Sequence, residues 1–201
     1  MTQFTLPAIP VELEWKNLPI DWKIESDDCL SILAGAKTDW FIDPGGSSVQ
    51  ANAPTAIFRP PDENFMVSAR VMVDFVSTYD AGVLHLYESE SRWAKLCFEY
   101  SPQRQPMIVS VVTRDFSDDC NSVEIKGQAV YLRLTVTPQT IAFHYSLDAA
   151  YWNLVRYFSL GKMEHLRVGF SSQSPTGQQC RARFSEIQYR AGVLKDYRSG
   201  E

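Results

Sequence analysis

The segment from residue 92 to residue 100 alternates apolar and functional side chains, and its functional face has the groups that a sugar site needs. Trp93, Lys95 and Glu99 fall on one face, because successive side chains of a strand point to opposite sides. An aromatic ring can pack on the C–H face of a sugar, and charged groups can hydrogen-bond its hydroxyls. The segment therefore predicts one strand of a ligand-binding surface.

Polar side chains in the neighbouring segments would extend this surface if their strands adjoin the first one. His85 and Tyr87 alternate with leucines, and Ser110 and Arg114 alternate with valines. The predicted ligand-binding residues are His85, Tyr87, Trp93, Lys95, Glu99, Ser110, Arg114 and Asp118. The alternative is a solvated outer face with an ion pair between Lys95 and Glu99, which contributes little to stability.

Catalytic patterns are weak in this sequence. A glycosidase needs two carboxylates about 5–10 Å apart across the scissile bond, and Glu99 could converge with Asp118 or with Asp80. Glu88 and Glu90 are expected in a loop. The chain has neither a nucleophile elbow nor a glycine-rich phosphate loop. We therefore assign no catalytic residue.

Metal and cofactor binding find no support in the spacing of the candidate ligands. The three histidines are not paired with cysteines at zinc-ligand spacing. The acidic segment 115–119 is expected to be a solvated loop, and its spacing is not that of a calcium-binding loop. We predict no metal and no cofactor.

Period-two alternation is the dominant pattern along the whole chain. It recurs over residues 65–75, 129–136, 141–147 and 165–171, and turn-forming residues separate the runs. No segment shows sustained helical periodicity. The pattern predicts an all-β, two-sheet antiparallel sandwich, with residues 1–201 forming one domain whose core spans about 14–190.

Composition narrows the class of partner and the compartment. The net charge of −5 and the absence of a basic cluster argue against nucleic acid. The N-terminus lacks the features of a signal peptide, and no apolar run is long enough to span a membrane. We therefore expect a cytoplasmic protein that binds neither nucleic acid nor membrane, with its four cysteines reduced.

Several motifs occur in an order that is similar to a known family. They are Asp74-Phe75 with Tyr79-Asp80-Ala81-Gly82, Trp93 to Tyr100, Ser110 to Arg114 with Ser117-Asp118, Leu132-Arg133-Leu134, and Tyr145 to Asp148 with Trp152. Together they resemble the uncharacterised concanavalin-A-like family that includes a fungal regulator-of-enolase protein. The resemblance implies a jelly-roll sandwich. The chain departs from the family at Asp119, where tryptophan is common, and at Ala149, where glycine is common.

Three functions remain open at this stage. The preferred hypothesis is a non-catalytic protein that binds a small carbohydrate or sugar phosphate on the polar, concave sheet face. The second, suggested by the resemblance, is a protein that regulates a carbohydrate-metabolism enzyme through an exposed apolar patch. The third is a carbohydrate-active enzyme that uses a carboxylate pair. The sequence does not reveal the oligomeric state.

Overall fold

β-Strands dominate residues 3–25 and 28–201, which are the residues that the computed structural model describes. The strands are β1 (Gln3–Phe4), β2 (Leu13–Lys16), β3 (Asp21–Ile24), β4 (Leu30–Gly35), β5 (Trp40–Ile42), β6 (Val49–Ala51), β7 (Thr55–Phe58), β8 (Phe65–Val73), β9 (Ala81–Ser89), β10 (Arg92–Tyr100), β11 (Pro106–Arg114), β12 (Phe116–Glu124), β13 (Ala129–Val136), β14 (Ile141–Ser146), β15 (Asn153–Phe158), β16 (Arg167–Gln173) and β17 (Gln179–Ala191).

The strands form two large antiparallel sheets. Sheet A has eight strands in the order β1-β2-β7-β16-β9-β10-β11-β12, and sheet B has seven in the order β15-β14-β13-β8-β17-β4-β3. The strands β5 and β6 form a separate hairpin. The predicted all-β, two-sheet antiparallel sandwich of the concanavalin-A-like type is confirmed.

The main core lies between the two sheets and is built from the apolar face of each strand. Leu96 and Phe98 of β10 and Phe170 of β16 represent sheet A, while Leu134 of β13 and Phe184 of β17 represent sheet B. All five side chains are fully buried. Burial of about 0.8 kcal/mol per methylene is the main driving force for such a sandwich.

A second apolar cluster lies on the outer face of sheet A, beneath the β5–β6 hairpin. Trp40 of β5 packs there against Trp93 and Val111, with Tyr87 at the margin. Sheet A is therefore covered on both faces in this region. The hairpin is held in place by hydrogen bonds from the Trp40 indole Nε1 to the carbonyl of Ala53 and to the hydroxyl of Thr55.

Two loop predictions are wrong. The acidic segment 115–119 is not a loop, because residues from Phe116 onward form β12, which pairs with β11 along the edge of sheet A. Glu88 lies within β9 rather than in a loop, and its buried carboxylate accepts hydrogen bonds from the backbone N–H groups of Glu164 and His165. Polar sequences can form edge strands because one side of such a strand remains solvated.

None of the described residues belongs to a helix with the length and apolar character required to cross a membrane.

Gly169 marks the closest approach between two strands of sheet A. A Cβ atom at this position would lie 1.8 Å from the Ala56 carbonyl oxygen on β7 and 2.8 Å from its carbonyl carbon. These are backbone atoms, which cannot rotate away as a side chain could. Only glycine therefore fits at this point of β16.

We expect Gly169→Ala to destabilise the protein by about 3 kcal/mol through overpacking, or roughly 6–12 °C in Tm for a domain of this size. Gly127→Ala is the matched control, because its Cβ would meet nothing closer than 3.8 Å. Thermal denaturation followed by circular dichroism measures both variants. An unchanged Tm for Gly169→Ala would contradict the close approach of β7 and β16.

Candidate functional site

Five of the eight predicted ligand-binding residues share the outer face of sheet A. Antiparallel pairing of β9 with β10 sets His85 opposite Lys95 and Tyr87 opposite Trp93. Glu99 lies on the same face of β10, because it is four residues beyond Lys95. The two strands do adjoin, as the sequence-based interpretation required.

Ser110 and Arg114 do not belong to this group, and their predicted orientation is wrong. The register of β10 with β11 sets Ser110 opposite Leu96, so that Ser110 is buried on the face toward sheet B. Arg114 is four residues beyond Ser110, so its side chain points to the same side of β11, at the solvent-exposed end of the strand. The valines Val109 and Val111 are the residues of β11 that share a face with Lys95.

Asp118 also lies on the face toward sheet B, where it contacts Arg156, a residue that the sequence analysis did not select. Its partner across the ladder is Val112, which faces the core. Arg156 of β15 donates to the Asp118 carboxylate at 2.7 Å and approaches the Ser110 hydroxyl at 3.5 Å. Arg156 therefore links the margins of the two sheets. The carboxylate that does share the outer face with Lys95 is Asp119, which pairs with Val111.

The aromatic half of the outer face, formed by His85, Tyr87 and Trp93, is covered by other side chains. Trp93 has an exposed fraction of 0%, because Trp40 of the hairpin packs edge-on against it with 5.9 Å between ring centroids. Trp40 also contacts the rings of His85 and Tyr87. Lys16 covers the remaining side, with its Nζ 4.5 Å from the centroid of Tyr87. The Trp93 ring is therefore a core element of this region.

The polar half of the outer face is organised around a buried ammonium group. Lys95 has an exposed fraction of 2%, and its Nζ donates to Asp39 Oδ1 at 2.7 Å and to Gln173 Oε1 at 3.0 Å. Burial alone would lower the pKa of Lys95, but the Asp39 carboxylate raises it above its ordinary value. Lys95 therefore remains charged, and it ties the segment before the hairpin to the sheet.

Two further carboxyl groups lie close to this ion pair. Burial raises the pKa of Glu99 to about 8, opposed by Lys95 and reinforced by the carboxylates of Asp39 and Asp119. Burial also raises the pKa of Asp119, again against the effect of Lys95. Glu99 is 7% exposed, and no residue in the described ranges 3–25 and 28–201 donates a hydrogen bond to its carboxyl group. The raised pKa favours the protonated form of Glu99 near neutral pH.

His85 is neutral and takes no part in ionic interactions. Burial, together with the charges of Lys95 and Lys16, lowers its pKa to about 3. Neither ring nitrogen has a hydrogen-bond partner within the described part of the chain. The outer face thus combines a neutral imidazole, a buried cation and a protonated carboxyl group within one water-poor region.

Asp39, Trp40 and Gln173 are functional-site residues that sequence reasoning missed. Gln173 is the last residue of β16, two positions beyond the alternating run 165–171. Trp40 begins the short apolar run Trp40-Phe41-Ile42, which is followed by a turn-forming sequence. That run was the available signal for a hairpin.

A cleft of about 780 Å³ lies away from these residues. It contains none of the eight predicted ligand-binding residues, and its lining has more carboxylates than arginines and no tryptophan or tyrosine. Within the residues that the structure describes, no group of three or more histidine, cysteine, aspartate or glutamate side chains could hold a metal ion. The outer face of sheet A remains the candidate site, because it brings together five of the predicted residues in a region where buried ionisable groups have shifted pKa values.

A family model described as "Protein of unknown function (DUF1349)" matches residues 15–191. No curated protein matches the chain. A functionally unknown protein from Saccharomyces cerevisiae has a similar structure, with a TM-score of 0.80 and 23% identity over 90% of this chain and 97% of that chain.

Parts of larger proteins also share the fold. The GH43 protein BlXynB from Bacillus licheniformis matches with a TM-score of 0.74 and 17% identity, over 90% of this chain and 37% of that chain. A xylan β-1,4-xylosidase from Bacillus halodurans C-125 matches with a TM-score of 0.68 and 14% identity, over 84% of this chain and 34% of that chain. This chain thus spans about a third of each enzyme. Identities this low show the fold alone, and none of the comparisons bears on enolase regulation.

We expect Trp93→Ala to lower the free energy of unfolding by about 3–5 kcal/mol, because a fully buried indole leaves a cavity when it is removed. The control is Tyr151→Ala, since Tyr151 is 70% exposed. Urea denaturation measures both. If Trp93→Ala kept the stability of the wild type, the ring would be accessible and available to a ligand instead.

Glu99→Gln should remove a pH dependence of stability. The folded-state pKa of about 8 exceeds the ordinary value of 4.5, so the folded protein binds more protons than the unfolded chain between these values. Stability from this group is therefore complete at low pH and is lost as pH rises through about 8. The stability of the variant relative to wild type should grow with pH, by at most about 1.4 kcal/mol per unit. Urea denaturation from about pH 5 to 8.5 measures the difference, and parallel curves would contradict a raised pKa.

Proposed function

This chain belongs to the family described as "Protein of unknown function (DUF1349)", and we propose that it binds a small neutral carbohydrate without catalysing its conversion. The ligand lies on the polar half of the outer face of sheet A. The contacting residues are Lys95, Glu99, Asp119 and Gln173.

One observation carries this proposal: the carboxyl group of Glu99 is nearly buried, is protonated at neutral pH, and has unused hydrogen-bonding capacity. A protonated carboxyl group both donates and accepts, which is the pattern that complements a sugar hydroxyl. Asp119 adds an acceptor and Lys95 adds donors on the same face. A ligand hydroxyl would therefore find both a hydrogen-bond donor and a hydrogen-bond acceptor on this face.

The local charge favours a neutral sugar over a sugar phosphate. The single cation Lys95 is already neutralised by Asp39 at 2.7 Å. Asp119 adds a further negative charge, and Glu99 resists ionisation for this reason among others. A phosphate group would have to approach these carboxylates within a region of low dielectric, where like charges repel strongly.

The aromatic residues support the site from beneath the hairpin in this proposal. His85, Tyr87 and Trp93 pack against Trp40, so their rings hold the hairpin and Asp39 in position. Ser110, Arg114 and Asp118 have no role in it, since they lie on the other face or at its margin.

The structural neighbours add support at the level of ligand class. The enzyme from Bacillus halodurans is described as acting on xylan, and the matched region is about a third of its chain. A domain that accompanies a xylosidase is a reasonable setting for sugar recognition, and we extend this class to the present chain. Xylose and xylobiose are therefore the first ligands to test.

A second candidate function is acid–base catalysis of glycoside hydrolysis, which the raised pKa of Glu99 favours. A general acid must be protonated at the working pH and needs a second carboxylate nearby. Asp119 is the carboxylate on the same face, whereas Asp118 and the structurally bound Asp80 are not available. Release of nitrophenol from p-nitrophenyl β-D-xyloside, abolished by Glu99→Gln, would replace the binding proposal with this one.

The binding proposal is tested by thermal shift with xylose, xylobiose, glucose and cellobiose. A ligand at 100 times its dissociation constant stabilises by about 2.7 kcal/mol, which raises Tm by roughly 5–10 °C. We expect one of these sugars to produce the shift, and we expect Asp119→Asn and Glu99→Ala to lower the affinity for that sugar at least tenfold.

The matched control is Asp118→Asn, which removes the adjacent carboxylate on the opposite face of β12. It should keep the affinity of the wild type. Equal losses in the Asp118 and Asp119 variants would argue against the outer face, and a wild type that responds to none of the four sugars would refute the proposal for this ligand class.

A further inference from the structure

A second polar cavity lies on the outer face of sheet B, on the side of the sandwich remote from Lys95. Its volume is about 150 Å³, and the residues that carry the argument are Tyr131, Arg133, Trp152, Glu186, Gln188 and Arg190. The cavity is smaller than a typical pocket for a whole ligand, which holds roughly 300–1,000 Å³. It is large enough for one charged group of a ligand, since a water molecule takes about 30 Å³.

Arg133 forms the floor of this cavity and is nearly buried. It lies on β13 between Ser68 of β8 and His144 of β14, and only 8% of its surface is exposed. Its Nη2 donates to the Gly200 carbonyl at 2.7 Å, and its guanidinium group stacks 4.2 Å from the centroid of Trp152. These contacts fix the plane of the guanidinium group.

The charge of Arg133 has no carboxylate partner among the residues that the structure describes. Its buried Nε makes no hydrogen bond within the same set of residues. The hydrogen bond to Gly200 is therefore the one that its guanidinium group forms within the part of the chain that the structure describes. Buried charges are normally paired, so an unpaired guanidinium beside a cavity requires an explanation.

The other charged groups of the cavity leave an excess of positive charge. Burial, together with the nearby charge of Arg190, lowers the pKa of Arg133 to about 10, so that Arg133 is still charged at pH 7. Glu186 is the one carboxylate in the lining, and it accepts from the Tyr131 hydroxyl at 2.9 Å and faces Arg70 at 4.0 Å. Its charge is thus directed to Arg70 rather than to the two cavity arginines.

We propose that this cavity binds the anionic group of a small ligand, a carboxylate or a phosphate, between Arg133 and Arg190. Trp152 holds the guanidinium group in place, and a planar guanidinium is suited to pair with two oxygens of such a group. Gln188 supplies an amide at the rim. The proposal is independent of the sugar site on sheet A, which carries the opposite charge.

The test is isothermal titration of the purified protein with inorganic phosphate, D-glucuronate and neutral D-glucose, at constant ionic strength. We expect at least one of the two anions to bind, and glucose not to bind at this cavity. Phosphate binding alone identifies a tetrahedral oxyanion site, and glucuronate binding alone identifies a carboxylate site. No heat with either anion up to about 20 mM would overturn the proposal, since a site preformed by two arginines should bind at least at millimolar level.

Arg190→Gln is the decisive variant, because Arg190 is exposed and its loss should leave the fold intact. We expect affinity for the anion to fall at least tenfold, and Arg133→Gln to abolish binding if that variant folds. Arg183→Gln is the matched control, since Arg183 lies on the same strand but is paired with Asp74 at 2.8 Å. Equal affinities of the Arg190 variant and the wild type would overturn the assignment, whatever Arg133→Gln does.

Discussion

The buried ammonium group of Lys95 is the constraint on which the outer face of sheet A depends. A charge at the centre of a sheet is tolerated only when nearby groups replace its hydration, because removing an ion from water costs several kcal/mol. Asp39 supplies the counter-charge and Gln173 supplies a second acceptor. Asp39 also immediately precedes Trp40, the first residue of the β5–β6 hairpin. Its ion pair with Lys95 therefore holds Trp40 in position over Trp93. The ionic and apolar halves of the face are therefore two parts of one structure, and the protonated state of Glu99 follows from the same lack of solvent.

This arrangement makes the sandwich different from one with a single core. The apolar side chains between the sheets explain the fold, but they would serve equally well if the outer face of sheet A were open to water. Instead, Ala81, Val83, Cys97 and Val109 form a further buried cluster on that outer face, next to Lys95 and Glu99. Small apolar residues beside charged ones lower the local dielectric, which strengthens each electrostatic interaction near them. The altered protonation of Glu99 is thus a property of these apolar neighbours as well as of the neighbouring charges.

The fold was predictable from the sequence because strand alternation is a local property, whereas the site depended on relations between distant segments. Period two correctly grouped Trp93, Lys95 and Glu99 on one face of β10. It could not determine whether Ser110 shares that face, because a shift of one residue in register exchanges the two faces of β11. Nor could alternation reveal that Trp93 is covered, since Trp40 lies 53 residues earlier in the chain. Asp39 and Gln173 were missed for the same reason: they reach Lys95 only once three separate strands have assembled.

The two sheets also differ in the chemistry that their outer faces can recognise. On sheet A the carboxyl groups of Asp39, Glu99 and Asp119 surround one cation, so an arriving anion meets net repulsion. On sheet B the unpaired Arg133 lies beside Arg190, and the nearest carboxylate is already directed to another arginine. The two faces lie on opposite sides of the core, so the charged groups of one face make no direct contact with those of the other. A small ligand carrying both hydroxyls and an acidic group could not reach the two sites at once, so each site must recognise its own ligand or a different part of a long one.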